Sequence, residues 1–205
     1  FKAHNGSISN TGAAYIFKRN GSNNSWVEQI ILTQPDGNLI ADDEFGRYVS
    51  LSSDGTYAVI AEAKDDRGSA SFTNAGSVWV FKRTGSSWNT TTGTSGGPMR
   101  LFASDDAANY VFGVTLEITE DGKYIAVGST RNEATATYKG AVYMFARTTA
   151  SGDNTWSSIQ KITASDLQNN DYFGGLNSGV SMSSDGTYLI VGAHGEDTTG
   201  GDQGS

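Results

Sequence analysis

Runs of alternating apolar and polar residues recur along the whole chain. The clearest lies at residues 76–83 (GSVWVFKR), and close copies stand at 12–19 (GAAYIFKR) and 140–147 (GAVYMFAR). A side-chain period of two, with β-branched and aromatic residues, predicts a β-strand. Successive copies start 64 residues apart, so the chain is built from a repeated unit.

Two further markers return in each repeat. The run FGRYVSLSSDGTYAVIAEA starts at Phe45, and its counterparts start at Phe112 and Phe173. A tryptophan opens another alternating run after each GxVYxF segment; these are Trp26, Trp88 and Trp156. Each repeat therefore contains four short strands. We predict an all-β fold in which four-stranded antiparallel sheets, about three repeats of them, stack as the blades of a larger β-propeller.

An Asp-Gly pair lies between the first two strands of each repeat, with Asp54, Asp121 and Asp185 as its acidic members. Asp-Gly favours a two-residue type I′ hairpin turn, because both central positions of that turn need positive φ. One or two carboxylates in such a turn cannot supply the six to eight oxygens that calcium takes, roughly, in proteins. We therefore interpret these aspartates as structural turn residues and predict neither a metal site nor a cofactor.

These segments resemble FG-GAP repeats of the integrin-α type over nearly the whole chain: Phe-Gly opens the unit, Asp-Gly follows, then VGAH or a variant, GAVYMF and TASD. The resemblance implies a β-propeller used outside the cell for adhesion or assembly. It divides the chain into the second half of a blade (1–44), two complete blades (45–111 and 112–172) and the first half of another (173–205). Closed propellers have about four to eight blades, so we expect a longer parent chain, or else blades completed between chains.

Charge and composition argue against two kinds of partner, nucleic acid and the interior of a membrane. The chain has 14 basic and 22 acidic residues, a formal charge of −8 and no cysteine. Phosphate backbones are bound through clustered Lys and Arg, so we predict no nucleic-acid partner, and the absence of a long apolar run predicts no membrane insertion.

Most acidic residues fall in the loops between strands two and three and between strand four and the next blade, which emerge on one face of a propeller. That face is the candidate binding face, for a protein or glycan partner or for further copies of the chain. The alternatives are solvated loops, Asx-turn caps before Phe-Gly, and metal binding at the aspartate pairs. The candidate residues of this binding face are Asp42, Asp43, Asp65, Asp66, Asp105, Asp106, Glu133, Asp166, Asp171, Glu196 and Asp197.

Evidence for catalysis is thin, and we predict that the protein is not an enzyme and has no catalytic residues. His4 and His194 are the only histidines, and no nucleophile elbow, HExxH motif or phosphate loop is present. The repeated tryptophans favour packing between blades over a sugar-stacking surface.

Four Asn-x-Ser/Thr sequons are candidate N-glycosylation sites if the chain enters a eukaryotic secretory pathway: Asn5, Asn20, Asn23 and Asn89. The sequence as a whole predicts a non-catalytic extracellular or cell-surface propeller for adhesion or for protein or glycan binding. The alternative is a structural subunit of an extracellular filament assembled through blade edges, and a propeller enzyme is the least favoured reading.

Overall fold

Thirteen β-strands and one short 3₁₀ turn make up the described part of the chain, which in this computed structural model comprises residues 9–37, 39–131, 137–148, 154–176 and 178–196. No helix in these residues is long and apolar enough to cross a membrane. The strands are β1 (Ala14–Arg19), β2 (Trp26–Leu32), β3 (Phe45–Leu51), β4 (Tyr57–Glu62), β5 (Ser77–Thr84), β6 (Ser87–Trp88), β7 (Met99–Leu101), β8 (Phe112–Ile118), β9 (Tyr124–Ser129), β10 (Ala141–Arg147), β11 (Trp156–Ile162), β12 (Val180–Met182) and β13 (Leu189–Val191); the 3₁₀ turn is Ala70–Phe72.

The strands form antiparallel sheets in the order expected of propeller blades. Strands β8, β9, β10 and β11 pair in sequence order, and β3, β4 and β5 do the same. In the latter sheet the fourth strand is divided, because both β6 and β7 pair with β5 and residues 89–98 lie between them. Two-stranded sheets β1–β2 and β12–β13 flank the larger ones. The predicted all-β fold of four-stranded antiparallel blades is confirmed.

The two most regular sequence markers meet at the junctions between sheets. Gly76 precedes β5, and a Cβ on it would lie 2.2 Å from the Phe112 carbonyl oxygen of the next sheet. The Phe112 amide donates to the Ala75 carbonyl at 2.9 Å. Only glycine leaves room for this approach of two backbones, and its φ of +81° is also one that other residues rarely adopt. The same contact recurs at the other junctions, between Gly12 and Phe45 and between Gly140 and Phe173.

The core lies between the sheets. The largest apolar cluster fills the space between the β3–β7 and β8–β11 sheets and includes Val59, Val80, Phe112 and Tyr143. Trp156 packs in the same cluster, edge-to-face on Tyr57 of the preceding sheet with ring centroids 5.7 Å apart. This contact supports the predicted packing role of the repeated tryptophan, because it joins consecutive sheets.

The predicted type I′ turns are wrong. Of each Asp-Gly pair only the glycine has positive φ, for example 64° at Gly55. The Gly55 amide donates to the Ser52 carbonyl at 2.8 Å, and the Ser52 amide donates to the Tyr57 carbonyl at 3.0 Å, so four residues separate the paired positions. Asp54 stabilises this longer loop by accepting from the Thr56 amide at 2.8 Å and from the Ser52 hydroxyl at 2.7 Å. The aspartates are turn residues, as predicted, but in another type of turn.

Candidate functional site on the loop face

Three carboxyl groups are buried together where the loops of the first large sheet emerge. Glu62 ends β4, Asp65 lies in the β4–β5 loop, and Asp43 lies in the connection from β2 to β3. All three are fully or almost fully buried, and Asp43 is only 2% exposed. Burial of ionised carboxylates is costly unless cations and hydrogen bonds compensate them, so the partners of this cluster decide what it does.

Arg100 of β7 is the cation that these carboxylates share. Its Nη2 pairs with Asp65 and lies 3.6 Å from Glu62 Oε2, and its Nη1 donates to Asp36 at 2.8 Å. Its Nε donates to the Ser77 hydroxyl at 3.1 Å, and the guanidinium lies 5.0 Å from the Trp79 ring centre. Because Asp36 belongs to the β2–β3 connection, Arg100 ties the β1–β2 sheet to the next one.

Arg67 makes the corresponding link to the β8–β11 sheet. It pairs with Asp106 in the β7–β8 connection and donates to the Gly76 carbonyl at 2.8 Å. The guanidinium is flanked by the rings of Phe72 and Phe102, whose centres are 4.9 and 4.0 Å away. Cation–π contacts of this kind hold the arginine in place on both sides.

Burial acts on the protonation of Glu62 and Asp43. It raises the pKa of Glu62 to about 8, with the negative charge of Asp65 adding to the effect, although the Trp79 indole donates to Glu62 Oε2 at 2.9 Å. Burial and Asp65 likewise raise the pKa of Asp43 to about 7. Neither Asp43 oxygen has a partner in hydrogen-bonding geometry, and the nearby Asp66 amide only partly offsets the rise. Arg100, and Arg67 at 3.9 Å from Asp65, do not neutralise the cluster.

The residues predicted for the binding face do not form a single site. Asp43, Asp65, Asp66 and Asp106 lie around this cluster, where Asp66 accepts from the Asn74 amide at 2.6 Å. The exposed Asp42 accepts from the Asn10 side chain at 2.6 Å. Glu133 and Asp197 lie outside the described residues.

The remaining predicted residues belong to the later repeats. Asp105 accepts from the Tyr143 hydroxyl at 2.7 Å and from Lys161 at 2.6 Å. Asp166 and Glu196 line an open 770 Å³ cavity beside β12 and β13. Asp171 is buried and accepts from the Gln168 amide.

The pairs Asp42-Asp43 and Asp105-Asp106 do not occupy equivalent positions of the repeat. Asp43 occupies the repeat position of Tyr110 and Asp171, because each of the three lies two residues before the Phe of Phe-Gly and is flanked by residues of positive φ. Asp105 instead corresponds to Asp36, and each of these two accepts from a cation on the next fourth strand, Lys161 or Arg100. The aspartates thus have two separate repeat positions with different partners.

Arg100 was missed by the sequence interpretation because it lies within a strand, outside the acidic loops. A comparison of the repeats could have found it. Arg100 lies opposite Trp79 in the sheet, and Lys161, also a cation, lies opposite Tyr143 at the same position of the next repeat. Glu62 stands where the next repeat has Ser129, since these residues pair with Phe45 and Phe112 respectively. A glutamate in place of a small buried residue implies a dedicated cation nearby.

Metal ligation and acid–base chemistry have no evident centre in the described ranges. No group of three or more His, Cys, Asp or Glu side chains there is arranged to hold a metal ion. His194 stacks on the Tyr172 ring at 4.8 Å, and its Nδ1 lies 2.9 Å from the Ser178 hydroxyl.

Comparison with known proteins gives a family and distant similarity to solved structures. The model of the FG-GAP repeat matches residues 26–81 and 156–205, together just over half of the chain. No curated protein sequence matches. The periplasmic gluconolactonase of Pseudomonas aeruginosa is a solved structure similar to this chain, with 17% identity and a TM-score of 0.47. The similarity covers 89% of this chain and 44% of the lactonase, so this chain spans less than half of that protein.

These findings correct the predicted function. The FG-GAP match identifies the repeat and carries no adhesive role, and the structural relative is named as a gluconolactonase. Adhesion, protein or glycan binding, and the alternative of a filament subunit are therefore withdrawn. The likeness to the lactonase is too distant to replace them with its activity.

Proposed function

Because the chain belongs to the FG-GAP repeat family, we propose that it is a non-catalytic scaffold section of a propeller, whose outer sheets pack against further FG-GAP blades. The observation that carries this proposal is a contrast between equivalent aromatic residues. Trp156 is 4% exposed because the preceding sheet covers it, whereas Trp26, at the same position of the β1–β2 sheet, is 66% exposed.

The same contrast is found on the other outer sheet. Tyr188 precedes strand β13 and Ile190 lies within it, at the positions that Tyr57 and Val59 have in β4. Tyr57 is buried by the next sheet, but Tyr188 is 77% exposed and Ile190 is also exposed. Covering an aromatic or large aliphatic side chain is worth roughly 1.5–3 kcal/mol, so both outer faces have a driving force for packing. The occupant that fits is another blade of this family, because the internal junctions already show that packing.

Ionisable groups elsewhere in the structure are engaged in packing, which supports a scaffold over an enzyme. Glu62 accepts from Trp79, Arg67 and Arg100 join consecutive sheets, and Asp105 accepts from Tyr143. Groups held in this way are oriented by the scaffold and not towards an open cleft.

Hydroxyl-radical footprinting of the native protein tests the scaffold proposal. We expect Trp26 and Tyr188 to be as strongly protected as Trp156 and Tyr57, which serve as internal controls in the same sample. A denatured sample gives the unprotected rate for each residue. Labelling of Trp26 and Tyr188 near the denatured rate, with Trp156 and Tyr57 protected, would mean that no blade covers the outer sheets.

We further propose an extracellular or cell-surface location. Its support is the family resemblance and the exposure of two sequon asparagines, Asn20 and Asn23, in the β1–β2 turn. Each accepts from the serine amide two residues later, at 2.9 and 3.1 Å, and Asn89 is bonded similarly to the Thr91 amide. Digestion of the native protein with an N-glycanase should lower its mass, and an unchanged mass together with a cytoplasmic fractionation result would contradict this location.

A further inference from the structure

We propose that the junction between the β1–β2 sheet and the first large sheet is a pH-sensitive latch, closed while Asp43 is protonated and loosened when Asp43 is ionised. This regulation goes beyond the scaffold proposal and does not depend on it. The latch segment is the connection at residues 39–44, which ends where β3 begins.

Backbone hydrogen bonds attach the latch to both neighbours. The Asp42 amide donates to the Ser9 carbonyl at 3.2 Å, and the Glu44 amide donates to the Asn10 carbonyl at 3.2 Å. On the other side, the Lys64 amide donates to the Asp43 carbonyl at 3.4 Å. Asp42 and Glu44 have positive φ, which directs the side chain of Asp43 inwards between them. The latch can thus close only with Asp43 buried.

An ionised Asp43 has no adequate counter-charge at this position. Asp65 and Asp66 of the β4–β5 loop and Glu62 of β4 act on it with the same sign. Arg100 of β7 acts with the opposite sign, but it is shared with Asp36, Glu62 and Asp65. Beside Asp43 in the chain, Glu44 is paired with Arg47 and Lys64. A buried carboxylate without a hydrogen bond, next to further carboxylates, favours the open form.

Proton linkage determines how the opening of the latch depends on pH and over which pH range. The closed latch holds Asp43 with a pKa near 7, because burial and Asp65 raise it, whereas the open latch exposes an ordinary carboxyl of pKa 3.8. The closed form therefore binds one more proton between these two values, and its stabilisation is complete below the lower value and lost as the pH rises through 7. The opening constant should increase nearly tenfold from pH 5 to pH 6, about fivefold from pH 6 to pH 7, and level off above pH 7.

The next junction is a built-in control. Tyr110 occupies the position of Asp43 there, packed in the apolar core. The surrounding backbone is the same, with Asn109 and Val111 at positive φ and their amides donating to the Thr73 and Asn74 carbonyls at 2.7 and 3.0 Å. The buried position holds a tyrosine and not a carboxyl at this junction, so we expect its opening to be independent of pH over the same range.

Hydrogen exchange of the native protein at pH 5, 6, 7 and 8, corrected for intrinsic rates, tests the latch. We expect protection of residues 42–45 and Lys64 to fall about 50-fold between pH 5 and pH 7 while residues 109–112 do not change. Asp43→Asn keeps the shape without the charge and should remove the part of the pH dependence that Asp43 contributes, so that only a contribution from the neighbouring Glu62 is left. The exposed control Asp185→Asn should leave the pH dependence intact. Equal pH dependence at both junctions, or an unchanged slope in Asp43→Asn, would overturn the proposal.

A carboxyl-carbon NMR titration of the unsubstituted protein provides a second reading that does not require a variant to fold. An Asp43 midpoint near 7 supports the latch. A midpoint near the ordinary value of 3.8 would overturn it, because closing the latch would then take up no proton.

Discussion

Replacing Gly76 with alanine should separate the close approach at a blade junction from the backbone preference of glycine. The new Cβ would lie 2.2 Å from the Phe112 carbonyl oxygen, 2.6 Å from the Phe112 nitrogen and 2.8 Å from the Ala63 carbonyl oxygen. None of these backbone atoms can rotate away, so the Phe-Gly segment must move by on the order of 1 Å and disturb the buried Phe112. Positive φ at a non-glycine residue adds a cost of about 1–2 kcal/mol.

We expect Gly76→Ala to lower the free energy of unfolding by at least about 3 kcal/mol, since backbone strain and loss of core packing combine. Gly55→Ala is the matched control. Gly55 also has positive φ, but the only atom that approaches its Cβ position is the end of the Arg83 side chain at 3.8 Å. That variant should lose only about 1 kcal/mol.

Urea denaturation followed by tryptophan fluorescence measures both losses, provided that the slope of the transition is unchanged. The reasoning predicts a midpoint clearly lower for Gly76→Ala than for Gly55→Ala. Equal midpoints for the two variants would refute the claim that contact between backbones, and not φ alone, requires glycine at the start of each third strand.

Three further changes test other parts of the structure. Trp156→Ala should lower the free energy of unfolding by about 3–5 kcal/mol, because Trp156 packs on Tyr57. Trp88→Ala should cost less, because Trp88 is only half-buried. Equal losses for the two variants would contradict the packing role of Trp156. Arg100→Met should cost about 3 kcal/mol at pH 7, since it removes the closest cation of the buried Asp65 and leaves it with Arg67 at 3.9 Å. Arg100→Lys should recover part of this loss, because Lys161 occupies the same position in the next repeat. Full stability of Arg100→Met would exclude the network as described. Hydrogen bonds from Thr187 and Ser183 lower the pKa of Asp185 to about 2, so its contribution to stability is present above the ordinary value of 3.8 and lost as the pH falls through 2. Thr187→Ala should move the Asp185 titration towards 3.8, and an unchanged NMR midpoint would show that the turn hydrogen bonds are unimportant.

Much of the fold follows from periodic patterns in the sequence. The four-strand unit was predictable because every strand alternates and every repeat carries the same Phe-Gly, Asp-Gly and GxVYxF markers. The division of one fourth strand into β6 and β7 was not, because residues 89–98 interrupt pairing without breaking the repeat. The Asp-Gly turn was misassigned since a dipeptide preference competes with side-chain hydrogen bonds from Asp54, which stabilise a longer loop.

The candidate site was less predictable than the fold. Acidic loop residues were recognised, but loop charge alone does not show which carboxylates become buried or which cation compensates them. Arg100 sits in a strand 35 residues after Asp65 and reaches it only through sheet pairing. The unusual burial of Asp43 depends on residues from three separate segments, and no local pattern encodes that combination.

Imaging the native protein by electron microscopy tests the central claim most directly. If this chain is a section of an FG-GAP propeller, class averages should show a closed ring of radial blades, with the β1–β2 and β12–β13 sheets each packed against a neighbour. Particles in which these blades form an open stack, with both outer sheets facing solvent, would contradict the proposed scaffold function.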